Sequence, residues 1–148
     1  MTHKRNRLHL PPLHSASEYE RMIQMMRNEL NQLRSHRTTV YCTTRFNAIH
    51  HWPDAPEECG WLAFPHHHEF VVKAEVAVTD HDREVEFILL AREIDEMLAE
   101  KVGADTMTWS CERYARWIAE RLIESGLTVV EVEVSEEGLH GARYRPAE

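Results

Sequence analysis

Cysteine is scarce in this chain: Cys42, Cys59 and Cys111 are an odd number without the spacing of a disulfide framework. A disulfide-stapled secreted scaffold is therefore not expected, and reduced thiols are, one of them available for chemistry. Long apolar runs are also missing, none approaching the roughly 18–20 residues that cross a bilayer, so no membrane segment is expected. The opening "MTHKRNRLHLPPLHS" lacks the apolar stretch and small-residue cleavage site of a signal peptide, which makes a cytoplasmic location the expectation. Positive charge is in short supply, with 17 Lys and Arg against 25 Asp and Glu for a formal charge of -8. A nucleic-acid binder needs a basic face to neutralise phosphates. The basic cluster Lys4, Arg5 and Arg7 lies in the N-terminal tail, so nucleic acid is not an expected partner. Internal repeats and low-complexity segments are lacking too.

What is present fits one globular domain. At 148 residues and 43% hydrophobic content the chain can bury a core without staples. Histidine is the anomaly: eleven occur, many of them at 50–51 and 66–68.

The periodicities sketch the fold. After Pro11-Pro12, Ser15 with Glu18 forms a capping-box signal, and Tyr19, Met22, Ile23, Met26, Leu30 and Leu33 recur at helical spacing, predicting a helix over about 16–34. Its methionine-rich stripe is read as core or subunit packing. "RTTVYCTTRFNAI" has the β-branched and aromatic composition of a strand, and "HWPDAPEECGWLAFP" is a long loop of the kind that serves a site. "HEFVVKAEVAVT", "DHDR" and "EVEFI" together predict a hairpin over 67–88. Two helices follow, "LLAREIDEMLAEKVG" and "CERYARWIAERLIESG", each closed by glycine, then a last strand "LTVVEVEVS" with Val130, Val132 and Val134 on its apolar face. The expected architecture is α+β, an antiparallel sheet with helices on one face, in the order α, β, β, β, α, α, β. Residues 1–36 read as a tail and helix extension, and 37–148 as the main domain.

On a strand, residues i and i+2 share a face, so His66 and His68 converge while His67 points away. Two nitrogens on tetrahedral zinc lie about 3.3 Å apart, a separation that two leaning imidazoles reach. The third ligand is expected from His50 or His51 at the end of the preceding strand. Three histidines with an open fourth position describe a catalytic zinc site rather than a closed structural one. Taken alone, the His-x-His also fits exposed polar residues bordering a loop.

The segments "RFNAIHHW", Cys59 and "PHHHEFVVKAEV" resemble the pattern of the 6-pyruvoyl-tetrahydropterin and 6-carboxytetrahydropterin synthase family: Phe-x-Ala-x-His, a cysteine, then His-Gly-His-Asn-Tyr and a strand. The likeness continues through "REVEFILLAREIDEML", with Glu86 at the usual aspartate, through "WSCERYARWIAERL", and through "VEVSEEGLHGARY", covering about 40–144. The resemblance implies a tunnelling fold (T-fold), whose subunits pair sheet edges into a barrel, usually a hexamer, with sites between subunits. It implies Zn2+ on His50, His66 and His68, Cys59 as a proton-transfer group, Glu136 anchoring the pterin ring, and Ser110 and Glu112 beside it. The implied reaction is a lyase-type conversion of 7,8-dihydroneopterin triphosphate or a related pterin, toward 7-deazaguanine compounds such as queuosine or biopterin-like cofactors. Glu136 also makes sense by itself, since a carboxylate accepts two parallel hydrogen bonds from the N–H edge of a guanine-like ring.

One element of the pattern is missing. Where the family carries an Asp-His-x-x-Leu-Asn relay between the two helices, this chain runs only "KVGADTMTWS". Cys59 then needs another proton acceptor, and His140 is the candidate, with His51 and His67 behind it. The competing expectations are a divergent enzyme acting on another purine-like substrate, and a non-catalytic pterin- or nucleotide-binding module that keeps zinc for structure.

Overall fold

The computed structural model describes residues 16–35 and 38–147, and the chain divides into two compact units, Met1–Arg37 and Thr38–Glu148. In the first, α1 spans Ala16–Ser35. Of its apolar stripe, Tyr19, Ile23 and Met26 are exposed, so within the described residues the stripe packs no core of its own. The Ser15 half of the expected capping box lies outside the described residues.

The second unit is a four-stranded antiparallel sheet in the order β1-β2-β3-β4, with β1 Thr38–His50, β2 His66–Val78, β3 Thr128–Glu136 and β4 His140–Tyr144. Two helices, α2 Phe87–Lys101 and α3 Cys111–Glu124, connect β2 to β3 and cover one face. Because strand side chains alternate, the even-numbered residues of β2 from Phe70 to Val78 enter the core. They meet Leu90, Ile94 and Leu98 of α2 and Tyr114, Ile118 and Leu122 of α3, recurring every three to four residues as helix faces require. The fold class is α+β, as the sequence pattern predicts. No described helix is long and apolar enough to cross a membrane.

Three expectations are corrected. "EVEFI" is not the second arm of a hairpin. The Glu84 carboxylate accepts from the N–H groups of Thr79 (2.6 Å) and Asp80 (2.5 Å), folding 79–84 into a turn. Glu86 caps α2 by accepting from Ile88 N–H at 3.3 Å, so Phe87 and Ile88 begin a helix. The local alternation of that segment yields to the helical recurrence of Leu90, Ile94 and Leu98 behind it. Strand β4 was not expected, since Gly141 disguises it. A Cβ there would lie 2.1 Å from the Val134 carbonyl oxygen, so only glycine permits this approach of β4 to β3. The apolar face of β3 is also shifted. A bulge pairs Val76 with Val129 and Glu75 with Glu131, so Val129 rather than Val130 packs on the core.

The uncovered face is polar. Arg45 pairs with Glu69, Arg143 with Glu133 and Glu131, and Thr39 donates to Glu75 at 2.5 Å. The sheet also leaves two edges, β1 and β4, without a neighbour among the described residues.

Candidate metal centre

His50 and His66 stand directly opposite each other where β1 and β2 end, and His68 is opposite Ala48 one step inward. All three therefore share the helix-covered face, at the end of the stripe that Phe70, Val72 and Ala74 continue into the core. His67, one residue off, is exposed on the other face. The ring centroids lie 4.6 Å apart for His50 and His66, and 5.0 Å apart for each pair with His68. One nitrogen from each ring falls within 4.8 Å of the others. This geometry takes His50, not His51, into the cluster, because His51 follows the opposite alternation and its N–H donates to the Met107 carbonyl at 2.8 Å.

Each ring has its Nδ1 side occupied. His66 Nδ1 lies 2.7 Å from the Phe64 carbonyl, His68 Nδ1 2.7 Å from Glu137 Oε1, and His50 Nδ1 3.4 Å from the Trp109 carbonyl. Protons on the Nδ1 atoms leave the Nε2 lone pairs as the donors, the arrangement of metal-binding histidines and their outer partners. The Nε2 atoms of His50 and His66 are buried and have no hydrogen-bond partner. A buried polar atom without a partner is costly, and a metal ion between these nitrogens removes that cost. Burial, the largest cause, holds the His50 imidazole below its ordinary pKa, which keeps it neutral as a metal ligand must be. The donor set fits zinc: three imidazoles, which leave one position of a tetrahedral ion for a further ligand.

Beneath the histidines lies an aromatic floor. Phe46 and Phe70 stack with centroids 4.9 Å apart, Tyr114 packs on both, and the Phe70 ring lies 5.2 Å from His50. Glu136 shares the face and lies opposite Phe70. Its two oxygens are 3.4 Å from His50 Nε2 and 3.7 Å from His68 Nε2, beyond ordinary hydrogen-bond length but at the margin of the cluster. It is not a member of the three-histidine group.

The remaining candidates fall around this centre. Ser110 caps α3, accepting from Arg113 N–H at 3.4 Å, and its bond to Glu112 is the main cause holding that carboxyl below its ordinary range. Both belong to the helix cap. They border the centre through the backbone, since the adjacent Trp109 carbonyl is the one facing His50. Cys59 lies in the 3₁₀ segment Glu57–Ala63, whose Trp61 ring is 5.9 Å from His66, but the thiol is not among the clustered donors. His140 is exposed on β4, directly across from Glu136. No hydrogen bond joins it to Cys59 among the described residues.

Two groups escaped the sequence reading. Glu137 is one, placed by a turn that no periodicity signals. Cys111 is the other: its buried thiol is pushed up to about 12, mainly by burial and then by the nearby charges of Glu136 and Glu112, so at neutral pH it is a protonated neighbour of Glu136. Two grooves, of about 470 and 410 Å3, lie between α2 and the outer edge of β1, and neither includes a triad histidine.

No protein-family model and no curated protein matches the chain. Among solved structures it is similar to the 6-pyruvoyl tetrahydropterin synthase of Caenorhabditis elegans, with a TM-score of 0.56 and 17% identity over 76% of this chain and 97% of that one. The shared architecture is the T-fold's antiparallel sheet with helices, and at this identity the likeness is one of fold.

Proposed function

We propose that the chain holds zinc on His50, His66 and His68 and converts 7,8-dihydroneopterin triphosphate or a related pterin, in the manner of 6-pyruvoyl- or 6-carboxytetrahydropterin synthases. The observation that carries this reading is the convergence of three imidazoles whose Nδ1 sides are taken, two of them with buried, unpaired Nε2 atoms. Bound there, zinc supplies Lewis acidity toward the hydroxyls of a substrate side chain. Glu136 serves as the ring anchor, accepting from the N–H edge of the heterocycle, and its place beside two of the histidines supports that role. Ser110 and Glu112 are the proposed substrate-binding neighbours, and their place at the N-terminus of α3, beside the Trp109 carbonyl that faces His50, supports it.

Cys59 is the proposed proton-transfer group and His140 its relay. In support, the 3₁₀ segment that carries Cys59 touches His66 through Trp61, and His140 faces Glu136 across the β3–β4 pair. No hydrogen bond joins Cys59 to His140 among the described residues, and a homo-oligomer, a hexamer by resemblance, in which a second subunit completes the site, belongs to the proposal. Its support lies in the open β1 and β4 edges and in exposed Tyr41, Phe87 and Ile88 along the β1 groove. The polar open face does not itself demand cover. The reduced thiols suit a cytoplasmic setting.

The short connection Val102–Ser110, built around the turn Ala104–Thr106, offers no histidine. That observation favours, as the second reading, a pterin-binding module that retains the metal without turnover. Metal analysis, light scattering and mass spectrometry of products from dihydroneopterin triphosphate decide between them. One zinc per chain is expected, lost in His50→Ala, His66→Ala and His68→Ala but kept in His67→Ala, with turnover in the parent. Zinc kept in His66→Ala and lost in His67→Ala reverses the ligand assignment. Stoichiometric zinc and pterin binding with no product would establish the module.

A further inference from the structure

The three candidate ligands are not held alike. His50 and His66 rest Nδ1 on backbone carbonyls, whereas His68 rests it on the carboxylate of Glu137. Strand alternation does not put that carboxylate there. Glu136 shares the face of the histidines, so the next residue of a continuing strand would project from the opposite side. The backbone instead enters the left-handed region at Glu137, with φ 50°, followed by Gly138 at φ 74°. The Glu137 N–H stays anchored on the Glu69 carbonyl at 2.8 Å, and Leu139 N–H closes the turn on the Glu136 carbonyl at 2.9 Å. Positive φ is easy for glycine and unfavourable for glutamate. Such strain persists where the surroundings fix it, often beside a functional site. Here its result is two successive carboxylates on the histidine side of the sheet, one toward Nε2 and one at Nδ1.

We propose that Glu137 is a positioning residue of the metal centre: its carboxylate accepts the Nδ1–H of His68, fixes the tautomer and orientation of that ring, and turns Nε2 toward His50 and His66. The proposal rests on the metal-centre reading, but it also makes a statement about the metal-free protein. An anionic acceptor draws on the Nδ1 proton more strongly than a carbonyl does. The hydrogen bond is therefore strongest at His68, and Glu136 is left free to face a substrate.

The test uses the full-length protein, stripped of metal and reloaded with zinc. Glu137→Gly deletes the carboxylate while relieving the backbone, so the thermal midpoint of the metal-free protein is expected to hold or rise. Zinc affinity, read by competition with a chromophoric chelator, is expected to fall about 10–100-fold, the usual effect of removing an outer partner. Glu137→Gln keeps an accepting oxygen and should recover affinity to within a few-fold of the parent. A role in stability alone predicts the opposite pattern. In the metal-free protein, nitrogen-detected NMR above the imidazole pKa should find His68 as the Nδ1–H tautomer in the parent and in Glu137→Gln. In Glu137→Gly the Nε2–H form should dominate. Should Glu137→Gly not fold, Glu137→Ala, which also lacks an acceptor and meets the backbone strain that glutamate already meets, is read in the same way. Zinc affinity of the Gly or Ala variant within about twofold of the parent, or an unchanged His68 tautomer, overturns the proposal. A parent that binds no zinc while its His68 shows the Nδ1–H tautomer overturns the metal-centre reading and leaves the His68–Glu137 contact standing.

Discussion

On the helix-covered side of β2, Phe70, Val72, Ala74 and Val76 are completely buried, whereas one residue along, Glu69 meets Arg45, Lys73 lies over the Tyr41 ring and Glu75 accepts from Thr39. The same strand thus carries a core stripe and a solvated, charge-paired stripe. The triple histidine straddles both. His66 and His68 extend the core stripe, half-buried, with Nδ1 on the Phe64 carbonyl and the Glu137 carboxylate, while His67 joins the polar stripe and stays exposed. Position in the pleat, rather than the identity of the residue, decides which imidazoles converge. It also predicts where substitutions are felt.

The most damaging change should be Phe70→Ala. The ring joins the hydrophobic core to the histidines, stacking on Phe46 and lying 5.2 Å from His50 and 6.0 Å from His68. Truncating a fully buried phenylalanine costs about 3–5 kcal/mol through lost transfer energy and the cavity left behind. Urea unfolding of the metal-free protein measures it. A loss under about 1 kcal/mol would mean that the covered stripe is not the stabilising side of the sheet.

This contrast also marks what the sequence makes legible. The outer pair of His66-His67-His68 follows from alternation, because a period of two leaves no freedom once one face is buried. The helices α2 and α3 follow from apolar recurrence and glycine stops. Where local pattern and packing disagree, packing prevails. "EVEFI" alternates like a strand, but Glu84 gathers two backbone N–H groups into a turn and Glu86 caps a helix. β4 is hidden because its essential residue is a glycine, which weighs against a strand in any propensity argument. The Nδ1 partners of the histidines were illegible for a simpler reason: two are backbone carbonyls, which no residue type announces, and the third depends on a positive φ at Glu137. The placement of Glu136 beside His50 and His68 needs the register of β3 on β2, which the one-residue bulge at Val76 and Val129 shifts midway.

A smaller effect is expected at Gly141, where the open side ceases to be permissive. Gly141 lies opposite Ser135, and an added Cβ would come within 2.5 Å of Ser135 Cα as well as meeting the Val134 carbonyl. These are backbone atoms that no rotamer change can move aside. Gly141→Ala should therefore cost about 1–3 kcal/mol, the range of overpacking elsewhere, and loosen β4 first. Hydrogen exchange should show the β3–β4 amides losing protection ahead of β1 and β2. Wild-type protection there would place the close approach elsewhere.

The smallest effect should follow Arg45→Ala. Arg45 and Glu69 form an exposed ion pair across β1 and β2, with side chains 61% and 42% accessible. An exposed pair gains little in high dielectric and requires two long side chains to be held still, so its contribution is about 0–1 kcal/mol. It should shrink further in 1 M salt, where the screening length falls to about 3 Å. Removing the arginine leaves the structural bond that Glu69 makes, because that bond uses its backbone carbonyl, toward Glu137 N–H. Urea unfolding at low and high salt tests this in dilute protein. Repeating it at high protein concentration extends the test to the proposed oligomer. If the polar stripe faces solvent in the assembly as it does in the single chain, the cost stays small and salt-sensitive at both concentrations. A loss that grows several-fold with concentration and resists salt would mean that another subunit desolvates Arg45, and that the open face is a buried interface after all.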